Sequence, residues 1–209
     1  MASHFSQVMA NLVDPAHVPF LHVDSLAKYA NLREHQLRFA SIEQRADGAI
    51  VAQARYEDEP VTAATPTCNH TIYSPYVTND RYRDPTKKLV VDFWYLMVPI
   101  GPGKTRYLFR QYRNFLTHPL VQRFMNWRFR RFANVALEED RLIVEGQHAR
   151  LAQGLRFKHL VATDALVLRY QRMINELDDG RTWFTGYGSK PAGDAGVCTS
   201  SLGRYGRAR

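Results

Sequence analysis

A run of turn-separated strands followed by two helical stretches constrains the fold of this chain most strongly. Residues 88–99 give the strongest strand signal, residues 101–103 (Gly-Pro-Gly) mark a turn, and residues 104–115 return as a partner strand. Because strands joined by short turns pair side by side, this order predicts an antiparallel sheet with helices on one face, an α+β fold. The predicted strands are 35–45, 49–56, 68–77, 88–99 and 104–115, and the predicted helices are 4–18, 117–148 and 163–178.

Composition excludes several other classes of protein. With 45% apolar and 23% charged residues among 209, the chain is neither disordered nor a coiled coil, and it is long enough for one sizeable core. No apolar run is long enough to predict a membrane span, and residues 1–10 lack a secretory signal, so we expect a cytoplasmic protein. We expect one domain over 1–185 and a disordered tail over 186–209, where Gly, Ser and Arg predominate.

The net charge of +8 is concentrated locally, in the arginine-rich stretch 123–131 and in the last six residues. No nucleic-acid-binding motif accompanies this charge, so we do not expect a nucleic-acid partner. The stretch 123–131 is interpreted either as a solvated helix face or as a surface for an acidic redox partner or a neighbouring subunit.

The segment from Asn11 to His22 places two imidazoles and a carboxylate close together in the chain. His17 and His22 are five residues apart, which on a regular helix points their rings about 140° apart. Pro19 lies between them and disfavours helix for the residue before it, so an interrupted helix could bring both rings to one point. Two converging neutral imidazoles are typical of a metal site, although these could also be ordinary histidines near a helix end. Asp14, which precedes a proline, also fits a capping residue.

An acidic pair in the second half of the chain offers a third ligand. Two histidines and one carboxylate, with coordination positions left open, form the facial triad of non-haem Fe(II) oxygenases. Glu139 and Asp140 are adjacent, so their side chains point about 100° apart on a helix and only one of them can face the metal. Glu145 lies five residues further on and is expected to be structural.

Family resemblance adds to this reading. The pattern Asn-x-x-Asp-x-x-His-x-x-x-x-His, formed by Asn11, Asp14, His17 and His22, resembles the iron-binding motif of Rieske non-haem iron oxygenases. Its flanking residues are similar to the branch that includes pheophorbide and chlorophyllide oxygenases and the aromatic O-demethylases. Further blocks match in the same order, and the resemblance covers about residues 7–180. These blocks are 98–106, 139–147 and 164–170.

The resemblance implies a fold and a role for each residue. The fold would be the helix-grip (START-like) catalytic domain, an antiparallel sheet wrapped around a long C-terminal helix. His17, His22 and Asp140 would bind Fe(II), with Asp140 rather than its neighbour at the position that matches the motif. Asp14 would bridge to a histidine of a Rieske cluster and carry the electron, and Asn11 would lie beside the iron as a non-ligating polar residue.

The cluster itself is not expected in this chain. A Rieske cluster uses a Cys-x-His and a later Cys-x-x-His pair. Residues 68–70 (Cys-Asn-His) could be the first half, but Cys198 is followed by Thr-Ser-Ser, so no second half exists and the family's Rieske domain is expected to be absent. The resemblance therefore implies a [2Fe–2S] cluster on a Rieske ferredoxin-type partner, electrons from NAD(P)H through a reductase, and the homotrimer usual in the family.

The substrate is expected to be apolar, and cyclic or aromatic. The implied reaction is an Fe(II)- and O2-dependent hydroxylation or O-demethylation, by a monooxygenase or dioxygenase. Asn69 and His70 are candidate polar contacts to the substrate, although a plain strand also explains them. Strand alternation sends half of the hairpin aromatics inward, where they could form a pocket wall or simply a packed core. These aromatics are Phe93, Trp94, Tyr95, Phe109, Tyr112 and Phe115.

Three alternatives stay open from the sequence. One is a helix-grip protein that binds a hydrophobic ligand, the second is a truncated, inactive oxygenase, and the third is a zinc-dependent hydrolase with the same three ligands. A hydrolase needs a nearby general base and zinc, whereas an oxygenase has to hold iron and take up electrons.

Overall fold

A computed structural model describes residues 1–23, 25, 37–56, 62–154 and 161–177. The predicted disordered tail, 186–209, and Cys198 lie outside the described residues. The described residues form one antiparallel sheet of six strands whose spatial order follows the chain. The strands are β1 (Leu37–Gln44), β2 (Ile50–Tyr56), β3 (Thr67–Ser74), β4 (Val77–Asp84), β5 (Leu89–Gly101) and β6 (Lys104–Arg113). The helices are α1 (Phe5–Leu12), α2 (His17–Leu21), α3 (Pro119–Ala152) and α4 (Ala165–Leu177).

This architecture confirms the α+β, helix-grip prediction, and it adds a strand that the sequence analysis missed. β4 is rich in charged residues, and its alternation is hidden because both faces carry polar side chains. The predicted strand 68–77 ends at Ser74, because Pro75 lies in the turn between β3 and β4. β3 pairs with β2 on one side and with β4 on the other, and a register shift between Ile72 and Ser74 marks a bulge.

The core lies between the inner face of the sheet and the helices α1, α3 and α4. Side chains of β2, β3 and β5 that point inward meet apolar residues of α1 and α4. α4 is buried along one side at helical spacing, whereas nearly every residue of α1 is buried. α4 is anchored further by the hydroxyl of Tyr170, which donates a hydrogen bond to the carbonyl oxygen of Pro75 at 3.0 Å. The fully buried side chains of the core include Val8, Met9, Val13, Ile72, Met97, Val144, Leu166, Val167, Tyr170 and Ile174.

α3 divides into two parts with different surroundings. Its start is favoured by Pro119, because the first turn of a helix needs no N–H donor there. In its first half, which contains the arginine-rich stretch 123–131, Phe124 and Trp127 are 56% and 52% exposed. From Ala136 onward every fourth residue is buried, through Asp140 to Val144. The buried residues of α3 therefore all lie in its second half. No helix in the described part combines the length and apolar content needed to cross a bilayer.

The predicted helix over 4–18 is two helices. α1 ends at Leu12, and α2 begins at His17. Pro15 breaks the helix because the residue before a proline disfavours the α conformation, and that residue is Asp14. The break turns the chain so that both helices contribute side chains to one point beside α3.

Replacing Leu166 by alanine tests the position of α4. Leu166 is completely buried, so Leu166→Ala should lower the free energy of unfolding by about 2–5 kcal/mol in urea titrations. Leu108→Ala is the matched control because that leucine is 47% exposed on the outer face of β6, and it should cost under about 1 kcal/mol. Equal losses in the two variants would contradict the placement of α4.

Candidate metal centre

Three ligand atoms meet where α2 faces the second half of α3. The Nε2 atoms of His17 and His22 lie 3.5 Å and 3.3 Å from Oδ1 of Asp140. All three side chains offer an atom within 4.8 Å of the other two. An ion about 2.1 Å from each atom would separate its ligand atoms by about 3–3.5 Å, so the two distances to Asp140 fit a shared metal.

The short helix α2 brings the two rings together. His17 is its first residue, and His22 follows its last residue with a non-helical backbone (φ −104°, ψ 33°). Pro19 is accommodated because the N–H groups of a helix's first turn have no partner within the helix. The ring centroids of His17 and His22 are consequently 5.3 Å apart, at an angle of 70°. Val18 and Pro19 are both helical, so the interruption predicted at Pro19 is wrong, and the rings converge because the helix ends at Leu21, before His22.

Hydrogen bonds on the outer nitrogens fix which ring atom faces the metal position. Nδ1 of His17 donates to the backbone carbonyl oxygen of Asp14 in a short hydrogen bond. Nδ1 of His22 donates to Oε2 of Glu139 at 2.7 Å. Because a carbonyl or carboxylate oxygen only accepts, each Nδ1 carries the proton and each Nε2 can present its lone pair to a metal.

Asp140 and Asn11 form the third side of the centre. Asp140 is buried on α3, and its Oδ1 accepts a hydrogen bond from Nδ2 of Asn11 at 2.8 Å. Asn11 is in the last turn of α1, so this contact ties α1 directly to α3. The structure therefore places Asn11 beside the carboxylate as an orienting donor, in keeping with its predicted non-ligating role.

Glu139 does not join the group of three ligand atoms. Its Oε2 accepts hydrogen bonds from Nδ1 of His22 and from the hydroxyl of Ser25, the latter at 2.6 Å. Glu145 instead pairs with Arg141 and accepts a hydrogen bond from the backbone N–H of Ala2. Of the acidic residues considered from the sequence, only Asp140 directs an oxygen at both histidine Nε2 atoms.

Burial and the two carboxylates set the protonation of the histidines in opposite directions. Burial lowers the pKa of His17, which favours the neutral ring that a metal needs. Burial also lowers the pKa of His22, but the hydrogen bonds to Asp140 and Glu139 outweigh it and raise that pKa. A raised pKa means that His22 keeps its second proton to a higher pH than a free imidazole does, and a metal that binds at Nε2 would compete with that proton.

Asp14 lines a cleft of about 250 Å³ formed by α1, α2 and α3. Asn11 and His17 share this lining, and exposed Phe20 and Ile143 contribute apolar surface to it. Burial raises the pKa of Asp14 to about 6, although a hydrogen bond from the backbone N–H of Ala16 opposes the shift. The cleft thus leads from the molecular surface to a carboxyl group whose own backbone carbonyl holds His17.

The two predicted substrate contacts lie on opposite faces of the sheet. His70 shares the inner face with Ile72, and its Nδ1 lies 2.7 Å from Oδ1 of Asp80, the residue across from it on β4. Asn69 points to the outer face because successive strand residues alternate. Burial lowers the pKa of His70, but Asp80 and then Cys68 outweigh it and raise the pKa well above its ordinary value. Only His70 is positioned to contact a ligand on the inner face.

The hairpin aromatics divide as alternation predicts. Phe93, Tyr95 and Phe109 alternate with the exposed residues of β5 and β6, and their rings contact one another at 5.4–6.0 Å. Trp94 and Tyr112 belong to the exposed residues of the hairpin. The remaining member, Phe115, packs edge-on against Phe129 of α3.

One inner-face hydroxyl was missed by the sequence analysis. Within the described residues, the hydroxyl of Tyr107 is buried without a hydrogen-bond partner. Burial, followed by the nearby Asp140 and Asp80 carboxylates, raises the pKa of Tyr107. Tyr107 therefore presents a protonated hydroxyl group on the same side of the sheet as the metal centre.

The donor set fits Fe(II). Two imidazoles and one carboxylate are the set typical of non-haem iron sites that keep positions open, and each of the three side chains is also held by a hydrogen bond with a neighbouring residue. The contributions of Glu139, Ser25, Asp80 and Tyr107 were not predicted. Pairing β3 with β4 across the Pro75 turn would have revealed Asp80, whereas nothing in the sequence pattern pointed to Ser25 or Tyr107.

The chain matches the model of a known protein family. The family model described as vanillate O-demethylase oxygenase C-terminal domain matches residues 1–179. No curated protein matches the chain. The matched range includes the six strands and four helices of the described residues, together with His17, His22 and Asp140.

The charge on the inner face can be tested at Asp80. Asp80→Asn removes the largest influence that raises the pKa of His70, so burial should dominate and this pKa should fall, as measured by NMR titration of the imidazole. Asp92→Asn is the matched control because Asp92 pairs with Arg81 on the outer face. An unchanged His70 pKa in Asp80→Asn would contradict the assigned ion pair.

Proposed function

Since the chain belongs to the family of vanillate O-demethylase oxygenase C-terminal domains, a Rieske-type oxygenase family, we propose that it demethylates an aromatic methyl ether at an Fe(II) centre. Family membership makes the chain an oxidoreductase, the catalytic domain of an oxygenase component. The observation that carries the proposal is the meeting of His17 Nε2, His22 Nε2 and Asp140 Oδ1. The match names an O-demethylase and gives no support for a pheophorbide or chlorophyllide substrate.

The proposed reaction balances as a monooxygenation. O2 accepts two electrons and two protons, one oxygen atom enters a C–H bond of the methyl group, and the other oxygen leaves as water. The resulting hemiacetal then breaks the bond between the aryl ether oxygen and the former methyl carbon, which releases formaldehyde and a phenol. Fe(II), when bound, supplies the redox chemistry that activates O2 at open coordination positions.

The residues of this chain supply position and orientation. Asn11 holds Oδ1 of Asp140, and the outer hydrogen bonds hold both imidazoles with Nε2 forward. The inner-face rings of Phe93, Tyr95 and Phe109 offer an apolar surface suited to a flat ring. We assign His70 to a polar contact with the substrate, because it lies on this face, and we omit Asn69.

Electrons are proposed to enter through the cleft at Asp14. Its carboxyl group lines the cleft, and its backbone carbonyl accepts the hydrogen bond from His17, so one residue links the surface to a ligand. A Rieske [2Fe–2S] partner, reduced by an NAD(P)H-dependent reductase, would place a cluster histidine against Asp14. A homotrimer in which a neighbouring copy forms part of this cleft is compatible with the same route.

The alternatives are less well supported by the centre. A zinc hydrolase needs a free general base, but Glu139 already accepts hydrogen bonds from His22 and Ser25. A binding protein for hydrophobic ligands needs no outer hydrogen bonds on two histidines. An inactive oxygenase would retain the metal ligands but could not accept electrons. Reconstitution of the chain with a reduced Rieske partner distinguishes an active oxygenase from an inactive one.

Asp14→Asn tests the electron route. We expect the iron content to be unchanged and cluster oxidation in a reconstituted mixture to slow by about tenfold or more, equivalent to about 1.4 kcal/mol in the barrier. The readouts are stopped-flow absorbance of the reduced Rieske partner, O2 uptake, and formaldehyde from a panel of aromatic methyl ethers.

The matched control is Asp47→Asn, which alters an exposed carboxylate paired with Arg45 in the turn after β1. Wild-type rates in Asp14→Asn would contradict the route. Iron-loaded wild type that consumes O2 but yields no formaldehyde from any methyl ether would contradict demethylation while leaving an oxygenase.

A further inference from the structure

Two consecutive residues of α3 contact the two ring nitrogens of His22, one residue at each nitrogen. Its Nε2 lies 3.3 Å from Oδ1 of Asp140, and its Nδ1 donates to Oε2 of Glu139 at 2.7 Å. Adjacent helix residues point about 100° apart, which lets them reach opposite edges of one ring placed alongside the helix. The imidazole is only 1% exposed, so water from the bulk solvent cannot readily replace either of these contacts.

Glu139 is itself held in place. The hydroxyl of Ser25 donates to the same Oε2 atom at 2.6 Å, and Ser25 is buried. The backbone N–H of Ser25 in turn donates to the carbonyl oxygen of His22 at 3.0 Å. The carboxylate, the hydroxyl and the backbone turn after His22 therefore form one closed set of contacts around the ring.

We propose that Glu139 is a positioning residue for the metal centre, which fixes the tautomer and the ring orientation of His22, with Ser25 fixing Glu139. The inference rests on the proposed metal centre. It assigns a role to Glu139, the member of the acidic pair that is not one of the three metal ligands. It also explains why an adjacent acidic pair is useful here: one carboxylate would bind the metal, and the other would orient a ligand to the same metal.

The two histidines have unequal outer partners. His17 donates to a neutral backbone carbonyl, whereas His22 donates to a carboxylate. A negatively charged acceptor makes an imidazole a more basic ligand than a neutral acceptor does. Nε2 of His22 should therefore donate electron density to a metal more strongly than Nε2 of His17. The loss of the Glu139 charge should then change the electronic properties of a metal bound there.

The test uses the full chain and Co(II), whose absorption spectrum reports on its ligands. Co(II) affinity is measured anaerobically against a competing chelator for wild type, Glu139→Ala, Glu139→Gln and Ser25→Ala. Loss of an outer hydrogen bond of this kind weakens metal binding by about 10–100-fold, which we expect for Glu139→Ala. Glu139→Gln keeps an acceptor for Nδ1 and should recover part of the affinity, but with a shifted visible spectrum. Ser25→Ala should have a smaller effect than Glu139→Ala.

Glu138→Gln is the matched control. Glu138 is the preceding residue of α3 and pairs with Arg141 at the surface, so its loss should leave affinity and spectrum unchanged. NMR of the Co(II) protein adds a readout that a merely structural role would not move. The paramagnetically shifted Nδ1–H signal of His22 should exchange with D2O faster in Glu139→Ala, while that of His17 should not.

The possible failures are distinct. If wild type binds Co(II) and both Glu139 variants match its affinity, spectrum and exchange rate, the role of Glu139 is overturned and the metal centre stands. If folded wild type binds neither Co(II) nor Fe(II), the proposed function fails first. Circular dichroism establishes folding, and the near-isosteric Glu139→Gln keeps the test valid if Glu139→Ala does not fold.

Discussion

The contact of one carboxylate oxygen with two imidazoles and an amide is the interaction on which the site depends. Oδ1 of Asp140 accepts a hydrogen bond from the side-chain amide of Asn11 and lies within 3.5 Å of both histidine Nε2 atoms. These four side chains come from α1, α2, the residue after α2, and α3. Such a convergence of buried polar groups is costly without partners, so each element has to dock in one arrangement.

The centre connects two surfaces of different character. On the helix side, the cleft at Asp14 reaches His17 through one backbone carbonyl, which is the proposed route of electrons from a partner. On the sheet side, aromatic rings, the Tyr107 hydroxyl and the His70–Asp80 pair lie on the inner face. In the proposed function, electron entry and substrate binding therefore use different elements of the fold.

The sequence predicted the fold class because that class rests on local signals, whereas the choice of Asp140 as the third ligand came from the resemblance to the family motif. Turn residues marked the β5–β6 hairpin. An interruption at Pro19 was expected to make His17 and His22 converge, but Pro19 lies inside α2 and the rings meet because this helix ends before His22. β4 was missed because its inward residues, such as Asp80, are polar and resemble a loop in composition. Glu139 could be identified as acidic and adjacent to Asp140, but its bond to His22 depends on how α2 docks, which no local pattern encodes. The arrangement of Asn69 and His70 on opposite faces follows from alternation once the strand is known.

Iron K-edge X-ray absorption on protein purified and loaded with Fe(II) under anaerobic conditions tests the central claim most directly. We expect one iron per chain with two imidazole nitrogens and a carboxylate oxygen among its ligands, each about 2.0–2.2 Å away. Asp140→Asn, His17→Ala or His22→Ala should abolish this spectrum, whereas His118→Ala, at an exposed residue, should leave it unchanged. Stoichiometric iron with no imidazole in its scattering shell, or iron retained unchanged in all three ligand variants, would contradict this claim.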